Sequence, residues 1–512
     1  MVLFKSSNTK EKLHMMGYQD SPRDNLFHYH IYLETRVRQN HPLRRIKELI
    51  DFGFIYDEVK ESYGTKGNVS IPPPVILKLM LLLVFYNVRS ERELMETLPE
   101  RLDWLWFLGY GLDTSVPDHS VLSKARKRWG EEAFKHFFER SVMQCVETGM
   151  VDGAKIFMDS SLIDADTSNS SVIDTHSLKR LLNERYRELE KRLDAPAKEI
   201  QPNVAESPDE KEHTSDHTVN TRFVSTTDPD ASIVRHTKDA SKLRYKTHRA
   251  VDGLHEIITA VEVTPGAVNE GYRLASLIEA HQTNADAKVE TVVADSQYGT
   301  KENLLACHGK GIRAHMPVVQ HLNRNKSSRK GIFSEDRFTY HKESDLYRCP
   351  AGKLLHRRTL HEDKQNIEYA ASTKDCRSCS LRSSCTRSKG GRTIQRHVRQ
   401  EALDHMVKMA TSPSAKRDIK TRQYLMERSY ARSTRFGFDR ARWRGLTKVS
   451  IQEYLICAVQ NIEVLLRYGM TPTKGIATVP PAREHARPSP LCLFVLLMLF
   501  VLRMRSRGFV HG

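Results

Sequence analysis

The sequence predicts an α/β protein in which a mixed sheet with flanking helices follows an all-helical N-terminal domain. Two short apolar segments carry this prediction, because each has the pattern of a buried strand with an aspartate at its end. The first runs from Lys155 to Asp159, and the second runs from Val289 to Val293, directly ahead of Ala294 and Asp295. Folds of this kind place their chemistry at the sheet edge, on rigid backbone. Asp295 is therefore a candidate functional residue, although a simple helix cap is the alternative.

Residues 1–150 are predicted to form a helical DNA-binding domain. A strongly apolar helix is expected from Val75 to Tyr86, and Ser90 and Glu93 form a capping box for the next helix. A later helix, Val121 to Trp129, is basic, which suits either contact with DNA or plain exposure to solvent. Its cations are Lys124, Arg126, Lys127 and Arg128.

Residues 151–340 are predicted to hold the first part of the sheet domain. A hairpin is expected from Leu243 to Val251 and from Glu256 to Thr264, because an Asp-Gly pair lies between these two apolar runs. Lys246 and His248 on its first strand would suit a sheet edge that contacts phosphates. A helix is expected from about Glu270 to Gln282.

A flexible insertion is predicted within this part, over residues 170–230. Leucines at helical spacing from Leu178 to Leu193 predict one helix, and the chain after it is polar up to about Asp230. Acidic groups in this stretch are expected to be solvated.

Residues 341–395 form a predicted Cys-rich insertion into the sheet domain. Gaps of 26, 2 and 5 residues separate its consecutive cysteines, and the pair with two intervening residues resembles half of a zinc site. Zinc bound by four thiolates and reduced cysteines in a small strand-rich subdomain are both compatible with this spacing. The four residues are Cys349, Cys376, Cys379 and Cys385.

The sheet domain is predicted to resume over residues 396–470. A helix from Lys416 to Arg432 carries Glu427, which is either functional or a surface glutamate paired with arginines. A final amphipathic helix is expected from Val449 to Leu466. Between the two helices, aromatic residues alternate with cations, as in stretches that bind a nucleic-acid backbone. The cations include Arg440, Arg442 and Arg444.

The charge balance indicates a polyanionic partner such as DNA. The chain has 80 Lys and Arg against 63 Asp and Glu among its 512 residues, which gives a net charge of +17. Met1 to Lys12 is polar, so a cytoplasmic location is expected. Residues 471–512 are expected to be a linker and an apolar tail. The apolar run from Leu491 to Leu502 is short for a membrane span, and no membrane contact is expected.

The order of several segments along the chain resembles the DDE-type transposases of bacterial insertion sequences, in the insertion-sequence-four/five-like group. The resemblance extends from about His41 to Leu466. The similar segments are His41–Arg44, Arg89–Leu94, Pro117–Ser120, Tyr245–His248, Ala294–Gly299, Tyr347–Gly352 and Arg440–Leu446.

This resemblance implies a ribonuclease-H-like catalytic domain whose three acids correspond to Asp159, Asp295 and Glu427. These residues would bind two Mg²⁺ ions, which stabilise the attacking and leaving oxygens when DNA is cleaved and the freed 3′-OH is joined to target DNA. A homodimer or larger assembly on DNA, associated with the bacterial nucleoid, is also implied. Where the broader group has Tyr, Arg and Lys around the glutamate, this chain has Lys420, Gln423 and Thr434.

Two other functions fit the same residues. The first is a metal-dependent nuclease of the same fold that hydrolyses DNA without strand transfer. The second is a non-catalytic, zinc-containing DNA-binding protein.

Overall fold

The structure is a computed structural model, which describes residues 32–63, 70–175, 217–235, 240–318 and 331–468. The predicted helix over 178–193, the polar stretch up to residue 216 and the predicted linker and apolar tail over 471–512 lie outside the described residues.

The N-terminal part of the described chain is helical, as predicted. The apolar helix α4 is buried along nearly its whole length, and the Ser90 hydroxyl accepts a hydrogen bond from the Glu93 amide at 3.1 Å, which caps α5. The helices are α1 (Leu33–Arg36), α2 (Pro42–Leu49), α3 (Ile55–Val59), α4 (Pro73–Phe85), α5 (Glu91–Thr97), α6 (Leu102–Leu108), α7 (Ser120–Trp129) and α8 (Glu132–Glu147).

Two sheets follow in the sequence. The first is formed by β1 (Lys155–Asp164), β4 (Ser232–Val234), β5 (Lys242–Asp252), β6 (Ile258–Pro265), β7 (Thr291–Val293) and β8 (Arg313–His315). Its order is β6-β5-β1-β7-β8, with β4 beside the start of β5. β5 is antiparallel to both β1 and β6, whereas β1, β7 and β8 are parallel.

β1 is longer than the sequence predicts. The apolar run ends at Asp159, but the strand continues to Asp164 because β5 pairs with every residue from Ile156 onward. β7 pairs only with the first three residues of β1, and its partner for Phe157 is Val293. Asp159 therefore lies in the middle of β1, beside the point where β7 ends.

The described ends of the predicted insertion are more ordered than expected. β2 (Val172–Asp174) pairs with β3 (Phe223–Ser225), and α9 (His217–Arg222) leads into β3. Asp228, which falls in the stretch expected to be solvated, is fully buried and accepts hydrogen bonds from the Tyr245 hydroxyl and the Gly445 amide. These partners come from distant parts of the sequence, so a local polar composition does not predict them.

The second sheet is an antiparallel meander inside the predicted Cys-rich region. Its core consists of six buried side chains: Phe338, Tyr347, Leu355, Tyr369, Ala371 and Ile394. Its elements are β9 (Thr339–His341), β10 (Leu346–Arg348), β11 (Leu354–His361), β12 (Asn366–Ala371), β13 (Thr393–His397) and the short helices between β12 and β13, Thr373–Arg377 and Arg382–Cys385.

The remaining helices, numbered in chain order, are α10 (Leu274–Ala285), α11 (Lys301–Gly309), α12 (Thr373–Arg377) and α13 (Arg382–Cys385) in the second sheet, α14 (Gln400–Ala410), α15 (Pro413–Thr434) and α16 (Leu446–Tyr468). Of these helices, α10, α11, α14 and α15 pack against strands of the first sheet. α15 packs against β1, β7 and β8. α16 is long and apolar enough to span a membrane, but 94% of its apolar window is buried within the protein, as in a core helix.

One hydrophobic core joins the helical part to the first sheet. It includes side chains of α4, α6 and α8, together with Phe157, Val251 and most of the apolar side chains of α16. The predicted domain boundary near residue 150 therefore does not separate two cores.

A buried ion pair links β5 to the two C-terminal helices. Arg249 and Glu453 are both fully buried, and the Arg249 Nη2 atom lies 2.8 Å from the Glu453 Oε2 atom. Arg249 also donates to the Ser433 hydroxyl of α15 at 2.8 Å, and Thr247 donates to Glu453 at 3.0 Å. A buried charge without its partner is strongly destabilising, so this pair should set how α15 and α16 sit on the sheet.

We expect Glu453→Gln to lower the free energy of unfolding by about 3 kcal/mol, because it leaves the Arg249 charge buried without a counter-charge. Urea denaturation would measure the loss. Glu463→Gln is the matched control, since it removes the exposed Arg435–Glu463 pair at 2.8 Å and should cost less than about 1 kcal/mol. Equal losses in the two variants would contradict a structural role for the buried pair.

Candidate functional site

Three carboxylates meet at one edge of the first sheet. Asp159 projects from the middle of β1, Asp295 follows β7 by two residues, and Glu270 lies in the 3-10 turn that precedes α10. One oxygen atom of each side chain lies within 4.8 Å of an oxygen atom of the other two, and all three are half-buried. We call these three residues the carboxylate group. Such a set of hard oxygen donors is compatible with a divalent cation.

The strand directions explain why these residues meet. β1 and β7 are parallel, so both run toward the same edge of the sheet. β6 runs in the same direction as β1, because each is antiparallel to β5. The turn that carries Glu270 follows β6 and therefore reaches the same edge.

Close backbone packing holds the two loops that carry Glu270 and Asp295. An added Cβ atom at Gly271 would lie 3.0 Å from the Gln297 carbonyl oxygen, and one at Gly299 would lie 2.0 Å from the Pro317 carbonyl oxygen. The Asp295 side chain accepts a hydrogen bond from the Gln297 amide at 2.8 Å, which fixes its direction. Gly299 thus permits a backbone approach that a larger residue would block, and Gly271 permits a tight one.

The carboxylate group carries more negative charge than its surroundings neutralise. Burial raises the pKa of Asp159 to about 6, against the opposing effect of Arg422, whose Nη1 atom lies 2.7 Å from its Oδ2 atom. Burial also raises the pKa of Asp295, and the nearby Glu270 carboxylate adds to that rise. The Lys246 ammonium lies 3.4 Å from Glu270. Two cations face three acids, so a bound divalent ion would restore the balance.

The structure does not bring Glu427 into the carboxylate group. Two other residues of α15 do contact Asp159. Arg422 forms an ion pair with the Asp159 carboxylate, and the Tyr430 hydroxyl donates to the Asp159 carbonyl oxygen at 3.1 Å. The Glu427 side chain is exposed and forms no hydrogen bond or ion pair with another described residue. The alternative interpretation of Glu427, a surface glutamate paired with arginines, is therefore also not seen within the described chain.

Sequence reasoning does not single out Glu270, because its place at the start of a predicted helix has an ordinary explanation. The signal that could identify it is topological. β6 runs in the same direction as β1, so an acid in the turn that follows β6 reaches the edge that carries the other two acids.

Two predicted DNA contacts, Arg126 and His248, are corrected by the structure. Arg126 is buried, forms an ion pair with Glu91 and stacks 3.9 Å from the ring centroid of Trp443. His248 is fully buried and shares a hydrogen bond of 2.9 Å with the Thr264 hydroxyl, and burial lowers its pKa to about 3. His248 therefore stays neutral and cannot attract phosphate.

The other predicted DNA contacts differ in their surroundings. Arg442 is half-buried and donates to the Val88 carbonyl oxygen at 2.6 Å, so it connects the C-terminal part of the chain to the helical part. Lys246 lies beside the carboxylate group and donates to the Val268 carbonyl oxygen at 3.0 Å. The exposed cations are Lys124, Lys127, Arg128, Arg440 and Arg444.

All four cysteines of the second sheet line one cavity, and none forms a disulfide. Burial raises the pKa of the Cys385 thiol, and the other three thiols contribute to the same rise, against the opposing effect of Arg392. The structure thus brings the four predicted residues together.

Two segments of the chain match known protein families. Residues 31–128 match the transposase domain model (DUF772), and residues 348–466 match the transposase DDE domain model. Asp159, Glu270 and Asp295 lie between the two matched segments, whereas Glu427 and the four cysteines lie within the second. No curated protein matches the chain.

We expect Asp159→Asn to stabilise the metal-free protein at about pH 8, by roughly 1–3 kcal/mol. The folded protein binds the Asp159 proton more tightly than the unfolded chain does, because the pKa rises from 3.8 to about 6 on folding. The ionised carboxylate therefore destabilises the fold above about pH 6, and this effect disappears below about pH 4. Urea denaturation in a chelator, at pH 5 and pH 8, would measure the difference.

Asp164→Asn on the same strand is the matched control, with the opposite sign. Although burial alone would raise the pKa of Asp164, hydrogen bonds from Lys242 at 2.8 Å and Arg244 at 2.7 Å hold it below its ordinary value. Its charge stabilises the fold above the unfolded pKa, so this variant should be less stable at pH 8. Destabilisation by Asp159→Asn at pH 8 would contradict the charge imbalance.

Proposed function

The chain belongs to the DDE-type transposases of insertion sequences, and on this premise we propose that it cleaves DNA at the ends of its element and joins the 3′-OH ends to target DNA. The observation that carries the proposal is the carboxylate group. Asp159 and Asp295, which the sequence pattern selects from positions far apart in the chain, lie within 4.8 Å of each other at one sheet edge.

The first sheet, with α10, α11 and α15, is proposed to be the ribonuclease-H-like catalytic domain that the resemblance implies. Its order supports this proposal, because the antiparallel strands β1, β5 and β6 are followed in the sequence by β7 and β8, which run parallel to β1. The positions of Asp159 on β1 and of Asp295 after β7 support their proposed assignment as the first two acids. The second sheet would then be an insertion between β8 and α14.

The carboxylate group fits a hard divalent ion such as Mg²⁺, which takes oxygen ligands. We propose that Asp159, Glu270 and Asp295 hold one ion, and that Asp159 and Glu427 hold a second. Mg²⁺ at these positions would stabilise the negative charge that builds up on the scissile phosphate and its attacking and leaving oxygens. Glu270 would thus be a fourth acid, in addition to the three that the resemblance implies.

Residues of α15 would keep the acids in position for this reaction. Arg422 holds one Asp159 oxygen at 2.7 Å, and Tyr430 fixes the backbone of the same residue. Glu427 lies between these two residues in the sequence of α15, and its exposed carboxylate would have to move toward Asp159 when the ions bind. Water would attack the phosphodiester first and free a 3′-OH, and that hydroxyl would then attack target DNA. No covalent link between protein and DNA is needed.

DNA is the partner that this family membership implies. We propose that the exposed cations of α7 (Lys124, Lys127 and Arg128) and the exposed Arg440 and Arg444 contact its phosphates. Each element has two ends, so at least two copies of the chain are proposed to act together.

We expect Asp295→Asn to abolish both cleavage and strand transfer, since one substitution removes a ligand that both steps need. The measurement is a gel assay in which an element end with flanking DNA, labelled at the 5′ end of the transferred strand, is incubated with a supercoiled target plasmid, protein and Mg²⁺. Joined product from the wild-type protein supports the proposed function. Cleavage without any joined product would identify a nuclease instead, and full activity of Asp295→Asn would exclude both.

We expect Glu270→Gln and Glu427→Gln each to slow cleavage by on the order of a hundredfold or more, because loss of a metal ligand removes several kcal/mol of transition-state stabilisation. Glu279→Gln is the matched control, since this exposed glutamate of α10 pairs only with Lys310 among the described residues. A wild-type rate for Glu270→Gln would show that the fourth acid is not a ligand. A wild-type rate for Glu427→Gln would exclude the second ion site in the proposed form.

A further inference from the structure

We infer that the second sheet binds one zinc ion through Cys349, Cys376, Cys379 and Cys385, and that this ion holds the second sheet in its fold. The inference concerns a structural site outside the carboxylate group, and it does not depend on which reaction the protein catalyses.

The four cysteines come from two separate segments that the sheet brings together. Cys349 ends the β10 segment at the turn into β11, whereas the other three lie in and around α12 and α13, between β12 and β13. All four line one cavity with about 20 Å³ of accessible space.

The turn at Cys349 is built as a thiolate ligand requires. The Cys349 amide donates to the Lys353 carbonyl oxygen at 2.8 Å, and the Gly352 amide donates to the Cys349 carbonyl oxygen at 2.8 Å. The Lys353 amide donates to the Cys349 sulfur atom at 3.3 Å. Gly352 has a φ of +79°, which a residue with a side chain adopts only with strain. Amide donors of this kind stabilise and orient a metal-bound thiolate.

A second close approach is found on the other side of the cavity. Gly391 has a φ of +107°, and an added Cβ atom there would lie 3.3 Å from the Cys376 sulfur atom. Arg392 follows directly, and it donates to the Cys385 carbonyl oxygen at 3.2 Å. Four thiolates around one Zn²⁺ carry a net charge of −2, and Arg392 and Arg382 line the same cavity with positive charge.

The second sheet also needs an additional source of stability. Only six apolar side chains are buried in its core, while five strands and two short helices must be held in place. Units of this size usually depend on a metal or on disulfides. None of these cysteines forms a disulfide, and four thiols that line one cavity are the donor set of a structural zinc site.

The test measures zinc in the full-length protein, purified under reducing conditions, by elemental analysis. We expect one zinc per chain in the wild-type protein and a loss of at least about tenfold in Cys379→Ser. Two controls should keep their zinc. Cys307→Ala removes a buried thiol outside the cavity, and Asp295→Asn removes the other plausible cation site. Equal zinc in Cys379→Ser and wild type, or absence of zinc from the wild type, would overturn the inference.

A second measurement uses the wild-type protein alone and therefore does not depend on folding of a variant. Zinc is removed with a chelator, and Co²⁺ is added to the reduced protein. We expect the visible absorption of tetrahedral Co²⁺ together with a thiolate-to-cobalt charge-transfer band in the near ultraviolet. Hydrogen exchange should also become faster over residues 339–397 in the metal-free protein, but not in the strands of the first sheet. Absence of the charge-transfer band, or unchanged exchange, would contradict the inference.

Discussion

Electrostatic repulsion among Asp159, Glu270 and Asp295 is the constraint on which the rest of the structure depends. Three half-buried carboxylates whose oxygens lie within 4.8 Å of one another repel each other, and burial weakens the screening by water. Local hydrogen bonds from the Ser160 and Gln297 amides orient Asp159 and Asp295, but they do not bring the three acids together. The parallel strands β1 and β7, the turn after β6 and the cation Arg422 hold the three acids together. The site is thus destabilising by itself, and the large core shared by the sheet and the helices compensates.

The helix that supplies Arg422 and Tyr430 is in turn fixed by interactions far from the carboxylate group. Arg249 on β5 pairs with Glu453 on α16 and donates to Ser433 on α15, so one buried charge ties three elements together. The helical N-terminal part belongs to the same core. Two cations that the sequence suggests for DNA, Arg126 and Arg442, connect that part to the C-terminal segment instead, through the Trp443 ring and the Val88 carbonyl oxygen. The helix α7, which carries exposed cations, and the strands that carry the carboxylate group therefore pack against one shared hydrophobic core.

The parts of the fold that the sequence predicts are those encoded by local pattern. The apolar runs before Asp159 and Asp295 predict both strands, although β1 continues beyond Asp159, and the Ser90 capping box predicts the start of α5. Properties that depend on distant partners are not predictable in this way. The extension of β1 requires β5, the burial of His248 requires Thr264 and the packing around it, and the position of Glu270 beside the other two acids requires the direction of β6. The helix that carries Glu427 is predicted from its pattern, but the exposed position of its side chain follows from how α15 packs on the sheet.

The four cysteines extend the same reasoning to a site of different chemistry. Soft thiolates select zinc and hard carboxylates select Mg²⁺, so one chain can hold both ions without exchange between the sites. The second sheet lies between β8 and α14 in the sequence, and α14 leads directly into α15. A zinc-bound second sheet would therefore fix the distance between the end of β8 and the start of α14. An unfolded second sheet would instead be a long flexible loop between them. Because α15 carries Arg422, Glu427 and Tyr430, order in the thiolate site would favour order at the carboxylate group.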